Sequence, residues 1–411
     1  MKDEKFLSGL VTGAVGSLAV FAIAIFVVVL VLGKGNNSIR VTEKSETSKT
    51  IEESEEEIFD KITLLSDIIT EYSLYEVDDS EIIEGIYQGM FDSMGDKYAD
   101  YYTAEEFAVF NEDTSGEYCG IGAYIAQDMD NGVVYISEPM EGSPAKEAGL
   151  RADDIIYKVD GNETTDKDSE TVASWIKGEE GTKVQLTIIR EGEADYLTFD
   201  ITRKKIEVPT VEYEMIEGNI GYISIVSFDE VTTTQFENAV NDLKAQEAKG
   251  FIIDLRSNPG GILTVVVDML DMFLDPNQMI VYTEDKDGNT IEKYTSKTSK
   301  VIDIPLVVMI NGYSASASEI FAGVIQDYEL GTLVGTTTYG KGIVQSVQGI
   351  GDGSYVKFTT AKYFTAKGRY IHEIGIEPDV EIEFDSDAYY ENDVDNQLNK
   401  AIEVMQGKLS N

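Results

Sequence analysis

The chain has 411 residues, of which 42% are hydrophobic and 10% aromatic, so it can form two or three folded domains and is not disordered by default. Its 32 basic and 76 acidic side chains give a formal charge of -44, which argues against nucleic acid as a partner. Cys119 and His372 are the only cysteine and histidine, which excludes an intrachain disulfide, a thiolate metal cluster and a His-rich zinc site. A Ser-His-Asp triad would have to use His372; otherwise hydrolysis needs another base, and lysine is the usual substitute.

An apolar segment near the N-terminus has the length of a membrane span. Leu10 to Leu32 contains no charged residue, and these 23 residues suffice for a hydrocarbon core of about 30 Å. A cleavable signal peptide is the alternative, but its apolar region would be shorter and would end in a small-x-small site. We therefore expect a retained transmembrane helix within residues 1–33. Lysines lie on both sides of it, so charge counting leaves its orientation open.

The next part of the chain is polar and then helical. Residues 34–57 lack core-forming side chains and are expected to form a tether. Within residues 58–113, two runs carry apolar residues at helical spacing, and Ser80 stands as N-cap before the second. We expect these helices to serve packing or homodimerisation rather than chemistry.

Two patterns divide the remainder. Residues 114–205 contain short strands interrupted by one helical run, SETVASWIK, which indicates a compact β-rich module. In residues 206–411, buried strands such as FIIDLRS and IPLVVMI alternate with helices, which predicts an α/β core with a partly parallel sheet. The tail DNQLNKAIEVMQG predicts a final amphipathic helix.

Two glycine- or serine-rich stretches could take part in acyl chemistry. In NGYSASASEIFAGVIQDY, serines stand where a buried strand gives way to a helix, whose N-terminal N–H groups would stabilise a developing oxyanion. N-capping is the competing role for any one of these serines. DLRSNPGG, at residues 254–261, would supply a second oxyanion donor or is an ordinary Pro-Gly turn.

The third stretch, GTTTYGKGIVQ, contains a candidate base. Lys341 lies between Gly340 and Gly342, which allow close backbone approach and unusual dihedral angles. A lysine acts as a base only if burial lowers its pKa towards neutrality. Gln345 could fix its amine by a hydrogen bond. Alone, Gly-Lys-Gly is a weak signal, since most such lysines are solvated.

Together, these three stretches resemble the C-terminal processing peptidases, a family of Ser-Lys proteases. The resemblance runs from about Ser80 to Gly407 and implies a crotonase-like α/β core. It includes GMFDSMGDKYADYYTAEEF, EDTSGEYCGIGAYI, GSPAKEAGLRADDIIYKVDG, DLRSNPGG, SASASEI, TYGKGIVQ and IGIEPDV.

The resemblance also implies roles for individual residues. The nucleophile falls on Ser316, the base on Lys341 and the lysine-positioning residue on Gln345. The oxyanion donors would be the backbone N–H groups of Ala317 and of a glycine in the Pro-Gly-Gly turn. That glycine is Gly260 or Gly261. Ser314, Ser318 and Glu319 are expected to be helix-start residues, and His372, in GRYIHEIGIEPDV, is expected to be structural.

The β-rich module resembles a PDZ domain. Its segment YCGIGAYI matches the carboxylate-binding loop, in which the N–H groups of Gly120, Ile121 and Gly122 would receive the terminal carboxylate of a peptide. Lys177, on the predicted helix of the module, would assist in sensing bound peptide, or is an ordinary solvated lysine.

By resemblance, the chain is expected to be a bacterial serine endopeptidase with its catalytic part outside the cytoplasm. It would cleave proteins or peptides that expose an apolar C-terminal tail, and no metal or organic cofactor is implied. The alternative is a membrane-tethered adaptor that binds C-terminal tails through its PDZ domain without proteolysis. Occupation of all three catalytic positions argues against that alternative.

Overall fold

The computed structural model describes residues 54–410, which form two compact units. The α/β unit comprises residues 54–114 and 210–410, and the inserted unit comprises Ser115–Pro209. The transmembrane helix predicted within residues 1–33 lies outside the described residues. Among the helices within residues 54–410, none is long and apolar enough to cross a membrane.

The α/β unit begins with helices that expose apolar side chains. The first helix starts earlier than predicted: Ser54 caps it at a position assigned to the tether, because Ser54 and Glu57 form a reciprocal capping box. Leu65 is 52% exposed and Met90 is 64% exposed, and several other apolar side chains of the first two helices are also exposed. The elements are α1 (Glu55–Tyr72), α2 (Asp79–Asp92), β1 (Asp100–Tyr102) and α3 (Ala104–Ser115).

The inserted unit is a small β-rich fold with its own core. Its main sheet has the order β3-β4-β5-β7-β8 with β6 paired to β5, and β2 pairs with β9. Ile136, Val172 and Leu186 are among the fully buried core residues. The elements are β2 (Glu117–Gly120), β3 (Ala123–Gln127), β4 (Val134–Pro139), α4 (Pro144–Ala148), β5 (Ile155–Val159), β6 (Asn162–Glu163), α5 (Ser169–Ile176), β7 (Lys183–Ile189), β8 (Leu197–Thr202) and β9 (Lys204–Glu207).

The chain then returns to the α/β unit, where strands and helices alternate as the sequence predicts. The elements are β10 (Val211–Ile216), β11 (Ile220–Ile225), α6 (Thr232–Ala245), β12 (Gly250–Asp254), α7 (Leu263–Asp271), β13 (Met279–Glu284), β14 (Thr290–Thr295), β15 (Leu306–Ile310), α8 (Ala317–Asp327), β16 (Thr332–Gly335), β17 (Ile343–Gly349), β18 (Tyr355–Thr365), β19 (Val380–Glu381), α9 (Ser386–Asn392) and α10 (Asn396–Leu409).

A mostly parallel sheet forms the centre of the α/β unit. Its order is β10-β11-β12-β15-β16-β19, and all neighbours are parallel except β10 and β11. β12 and β15 are buried along their whole length. Residues of α6, α7 and α8 share one core cluster with the sheet, while Ala401 and Met405 of α10 share another with Ile252 and Val307. Because helices pack on both faces of the sheet, its central strands are apolar along their whole length.

The α/β unit also contains a second sheet, which is antiparallel. Its order is β1-β18-β13-β14, and β17 also pairs with β18. The central strand β18 is therefore bonded both to the N-terminal strand β1 and to the strand that follows the Gly-Lys-Gly stretch.

Candidate active site

Ser316 lies on a sharp turn between β15 and α8. Its backbone has φ 52° and ψ -111°, a conformation that is strained for a residue with a Cβ. A serine on a strained strand-to-helix turn is the arrangement of a nucleophile elbow. Ala317 begins the helix, so its N–H has no acceptor within the helix and suits the predicted oxyanion role.

The neighbouring serines fasten this turn to the loop that follows β12. Ser314 Oγ donates to the carbonyl of Leu255 at 2.7 Å, and Ser318 Oγ donates to that of Asn258 at 2.9 Å. The N–H of Ala315 also donates to Asn258, at 3.1 Å. Two of the predicted motifs, SASAS and DLRSNPGG, are thus held side by side. Ser314 and Ser318 therefore connect the two loops in addition to standing near the helix start.

The Pro-Gly-Gly turn distinguishes between the two candidate oxyanion glycines. The N–H of Gly260 donates to Asn258 Oδ1 at 2.7 Å. Gly261 forms a parallel bridge with Phe228, and that bridge uses the carbonyl of Gly260 and the N–H of Ile262 rather than the N–H of Gly261. A Cβ on Gly261, whose φ is 143°, would lie 2.3 Å from the carbonyl oxygen of Phe228. The geometry therefore favours Gly261 over Gly260 as the second donor.

Lys341 is buried, with only 2% of its surface exposed. Burial lowers its pKa to about 6, and the positive charges of Lys357 and Lys97 add to the effect. Its Nζ lies 4.2 Å from the centroid of the Tyr98 ring. The amine is therefore largely neutral at pH 7, which is the state that a general base requires.

The glycines around Lys341 allow the chain to pass close to its neighbours. A Cβ on Gly342 would lie 2.7 Å from the backbone nitrogen of His372, and Gly340 has a φ of 86°. The N–H of Gly342 donates to His372 Nδ1 at 3.4 Å. His372 thus supports the backbone of the loop that carries Lys341.

Glu319 joins the serine and lysine loops. Its Oε2 accepts the N–H groups of Ser316 at 2.9 Å and Lys341 at 2.8 Å. Its Oε1 accepts the Thr338 hydroxyl at 2.6 Å and the N–H of Gly340 at 2.7 Å. Burial raises the pKa of this fully buried carboxyl, while the four donors favour its ionised form. One carboxylate therefore fixes the predicted nucleophile and base relative to each other.

The sequence alone predicts only a helix-start role for Glu319. The spacing Ser316-x-x-Glu319 is that of a capping box, and it is the sequence signal for a hydrogen bond between the Glu319 carboxylate and the backbone of Ser316. A single acid in the first turn of this helix, followed directly by a run of apolar residues, is a second signal, because such an acid is buried only when donors surround it.

β17 and β18 place the remaining polar groups of the site. Gln345 is buried, and its Nε2 donates to Thr359 Oγ1 at 3.2 Å. The hydroxyl of Tyr363 donates to the carbonyl of Ser316 at 3.1 Å. Strand β18 therefore supports the nucleophile turn directly, and it also fixes the amide of Gln345.

Carboxylates near the loop after β12 form ion pairs rather than a metal site. Arg256 Nη2 lies 2.7 Å from Asp254 Oδ2 and 2.8 Å from Asp395 Oδ2, which ties α10 to the end of β12. Within residues 54–410, no group of three or more His, Cys, Asp or Glu residues is placed to hold a metal ion.

In the inserted unit, the predicted carboxylate-binding loop joins β2 to β3. The carbonyls of Ile121 and Gly122 accept N–H groups of Ala145 and Met140, at 2.8 and 2.9 Å. Gly122 has a φ of 73°, and a Cβ there would lie 2.4 Å from that of Ser143. The loop backbone is thus fixed from one side, and Gly120 ends the preceding strand.

The placement of Lys177 on a helix was wrong by one residue. α5 ends at Ile176, and Lys177 is its C-cap in an extended conformation. The N–H of Gly178 donates to the carbonyl of Cys119 at 3.2 Å, and Nζ of Lys177 lies 5.3 Å from the Tyr118 ring. The cap places this lysine beside β2.

The chain resembles family models and known proteins over most of its length. The sequence model of peptidase family S41 matches residues 219–382, that of a PDZ domain matches 135–190, and that of the activating protease CtpB N-terminal domain matches 10–106. The chain is 37% identical over 325 residues to the carboxy-terminal processing protease CtpA of Bacillus subtilis, a match that covers 79% of this chain and 69% of that protein. The chain belongs to the C-terminal processing peptidase family.

It is accordingly a serine-type endopeptidase with a PDZ domain. A probable CtpA-like serine protease of Staphylococcus saprophyticus is 38% identical over 72% of this chain, and the match spans 59% of that relative. A crystal structure of a putative S41 protease from Bacteroides fragilis covers 82% of this chain and 92% of its own, with a TM-score of 0.50 and 19% identity, which supports the mixed α/β fold alone.

Proposed function

We propose that this peptidase cleaves through an acyl-enzyme on Ser316, with Lys341 as general base. Ser316 Oγ attacks the scissile carbonyl carbon as its proton passes to Lys341 Nζ. The C–N bond then breaks, and the leaving amine takes that proton. Water attacks the resulting ester, gives a proton to Lys341 and releases the new carboxyl terminus, while Ser316 Oγ regains its proton. The N–H groups of Ala317 and Gly261 stabilise the oxyanion in both steps.

The observation that carries this proposal is a buried lysine and a strained serine whose backbone N–H groups donate to the same oxygen of Glu319. Lys341 has a pKa of about 6, and its backbone shares the Glu319 carboxylate with that of Ser316. His372 bonds the backbone of Gly342 through Nδ1, which is consistent with a supporting role. Gln345 serves to orient the lysine amine from β17.

The proposed substrate is a protein or peptide with a free, apolar C-terminal tail. The loop Gly120–Gly122 with its fixed carbonyls supports recognition of the terminal carboxylate by N–H groups, and the peptide would add as a strand to the domain edge. Lys177 beside β2 supports a part in sensing the bound tail.

We also propose that the protein is held on the outer side of a bacterial cell membrane by residues 10–32. The support is the uninterrupted apolar sequence of that segment. The exposed apolar side chains of α1 and α2 favour a homodimer through these helices.

The decisive experiment compares variants on a peptide with a free apolar C-terminus. Ser316→Ala and Lys341→Ala should each abolish cleavage in a folded protein, because removing one member of a catalytic unit costs several orders of magnitude in rate. His372→Ala should retain most activity. Loss of cleavage only in His372→Ala would overturn the assignment, and tail binding by the wild type without any cleavage product would favour the adaptor function.

A further inference from the structure

The turn that precedes β1 covers the amine of Lys341. Tyr98 lies in this turn, and its ring centroid is 4.2 Å from Nζ. We propose that Tyr98 is a positioning residue of the reaction: its ring keeps water from the Lys341 amine and holds that amine in place. This inference rests on the proposed role of Lys341 as general base.

The ring has a fixed position because its turn is bonded to the strand behind the site. The N–H of Tyr98 donates to Asp96 Oδ1 at 3.0 Å, and the N–H of Thr359 donates to Asp96 Oδ2 at 2.8 Å. Immediately after the turn, β1 pairs antiparallel with β18, with Asp100 opposite Lys357. The N-terminal region thus contributes one wall of the active site and is fixed to the strand that also supports Ser316.

Charged groups on three elements besides its own loop influence the protonation of the Lys341 amine. Lys357 on β18 and Lys97 on the turn oppose its protonation, while Asp96 on the turn and Glu319 on α8 favour protonation. Burial is the largest of these influences and lowers the pKa of Lys341. Whatever excludes water from Nζ therefore has the greatest effect on its charge.

An aromatic ring suits both charge states that the mechanism needs. Before attack, the ring excludes water and so favours the neutral amine that can accept the Ser316 proton. After proton transfer, the face of the ring attracts the ammonium group. An aliphatic side chain could supply only part of the first effect and none of the second.

The test follows phosphonylation of Ser316 by a fluorophosphonate ester as a function of pH. The rate should report the neutral fraction of Lys341, so it should rise through a midpoint near 6 in the wild type. Tyr98→Phe keeps the ring and should preserve this midpoint. Tyr98→Ala and Tyr98→Leu should move it to higher pH, because the loss of water exclusion should outweigh the loss of the ring's attraction for the ammonium group. A shift of one unit would lower the rate at pH 7 about twofold, and a shift of two units about tenfold. Tyr213→Ala, a partly exposed tyrosine on β10, is the control and should match the wild type.

The outcomes separate this inference from the proposed mechanism. If Lys341→Ala is inert while Tyr98→Ala and Tyr98→Leu keep the wild-type midpoint, the role of Tyr98 is refuted and the role of Lys341 stands. If Lys341→Ala is phosphonylated like the wild type, the base assignment itself fails. Tyr98→Leu preserves apolar bulk in the turn, so it provides the answer should the alanine variant unfold.

Discussion

Replacing Lys341 with methionine should stabilise the protein, and the gain should depend on pH. Folding lowers the pKa of Lys341 from 10.5 to about 6, so the unfolded chain binds this proton more tightly. The resulting cost to stability appears as the pH falls below 10.5 and is complete below about 6. Methionine has similar length, carries no charge and removes this cost.

The magnitude follows from the size of the shift. One pKa unit corresponds to about 1.4 kcal/mol, so the cost is at most about 5 kcal/mol at pH 7 and about 2 kcal/mol at pH 9. Lys341→Met should therefore gain about 3 kcal/mol more over the wild type at pH 7 than at pH 9. That difference is a large part of the net stability of an ordinary domain.

The assay is urea unfolding followed by far-ultraviolet circular dichroism at both pH values. The only tryptophan, Trp175, lies in the inserted unit, so its fluorescence follows that unit and serves as the internal control. A gain that is equal at pH 7 and pH 9, or no gain at all, would refute the lowered pKa and with it the argument for Lys341 as a base.

Two further predictions concern the active-site loops, and a third concerns recognition of the substrate tail. Glu319→Gln should lower both the melting temperature and the cleavage rate, the latter at least about tenfold, because an amide NH2 would face N–H donors; an unchanged rate in a kinetic assay would contradict its linking role. Gly261→Ala should destabilise the protein by several kcal/mol in denaturant titrations, since its Cβ meets the Phe228 carbonyl at 2.3 Å; Gly288→Ala is the control, because its φ is also positive but its Cβ meets nothing. Amidating the tail of a peptide substrate should weaken processing about tenfold below saturation, and equal rates for amide and acid would argue against carboxylate recognition.

The central sheet could be predicted from the sequence, whereas the second sheet could not. β12 and β15 are short apolar runs bounded by turns, and their double coverage is visible in the sequence. β14 and β17 carry mixed polar residues and are only partly buried. Their pairing with distant strands depends on tertiary contacts that local periodicity does not report.

The site shows the same division. Ser316, Lys341 and the Pro-Gly-Gly turn lie in motifs that a family resemblance identifies. Tyr98 and Glu319 both contact Lys341, which is distant from each of them in sequence, so only the folded arrangement shows these two contacts. The sequence offers Gly260 and Gly261 equally as oxyanion donors, and the structure favours Gly261 because the N–H of Gly260 donates to Asn258.

The measurement that tests the mechanism most directly is a search for the acyl-enzyme itself. An activated ester of a peptide with an apolar C-terminal residue would be mixed with the enzyme, quenched in acid within the first turnover and examined by mass spectrometry. The proposed mechanism predicts a mass increase equal to the acyl group, located on the peptide that contains Ser316, and its loss in both Ser316→Ala and Lys341→Ala. An acyl group on another residue, or undiminished acylation of Ser316 in Lys341→Ala, would contradict the proposed mechanism.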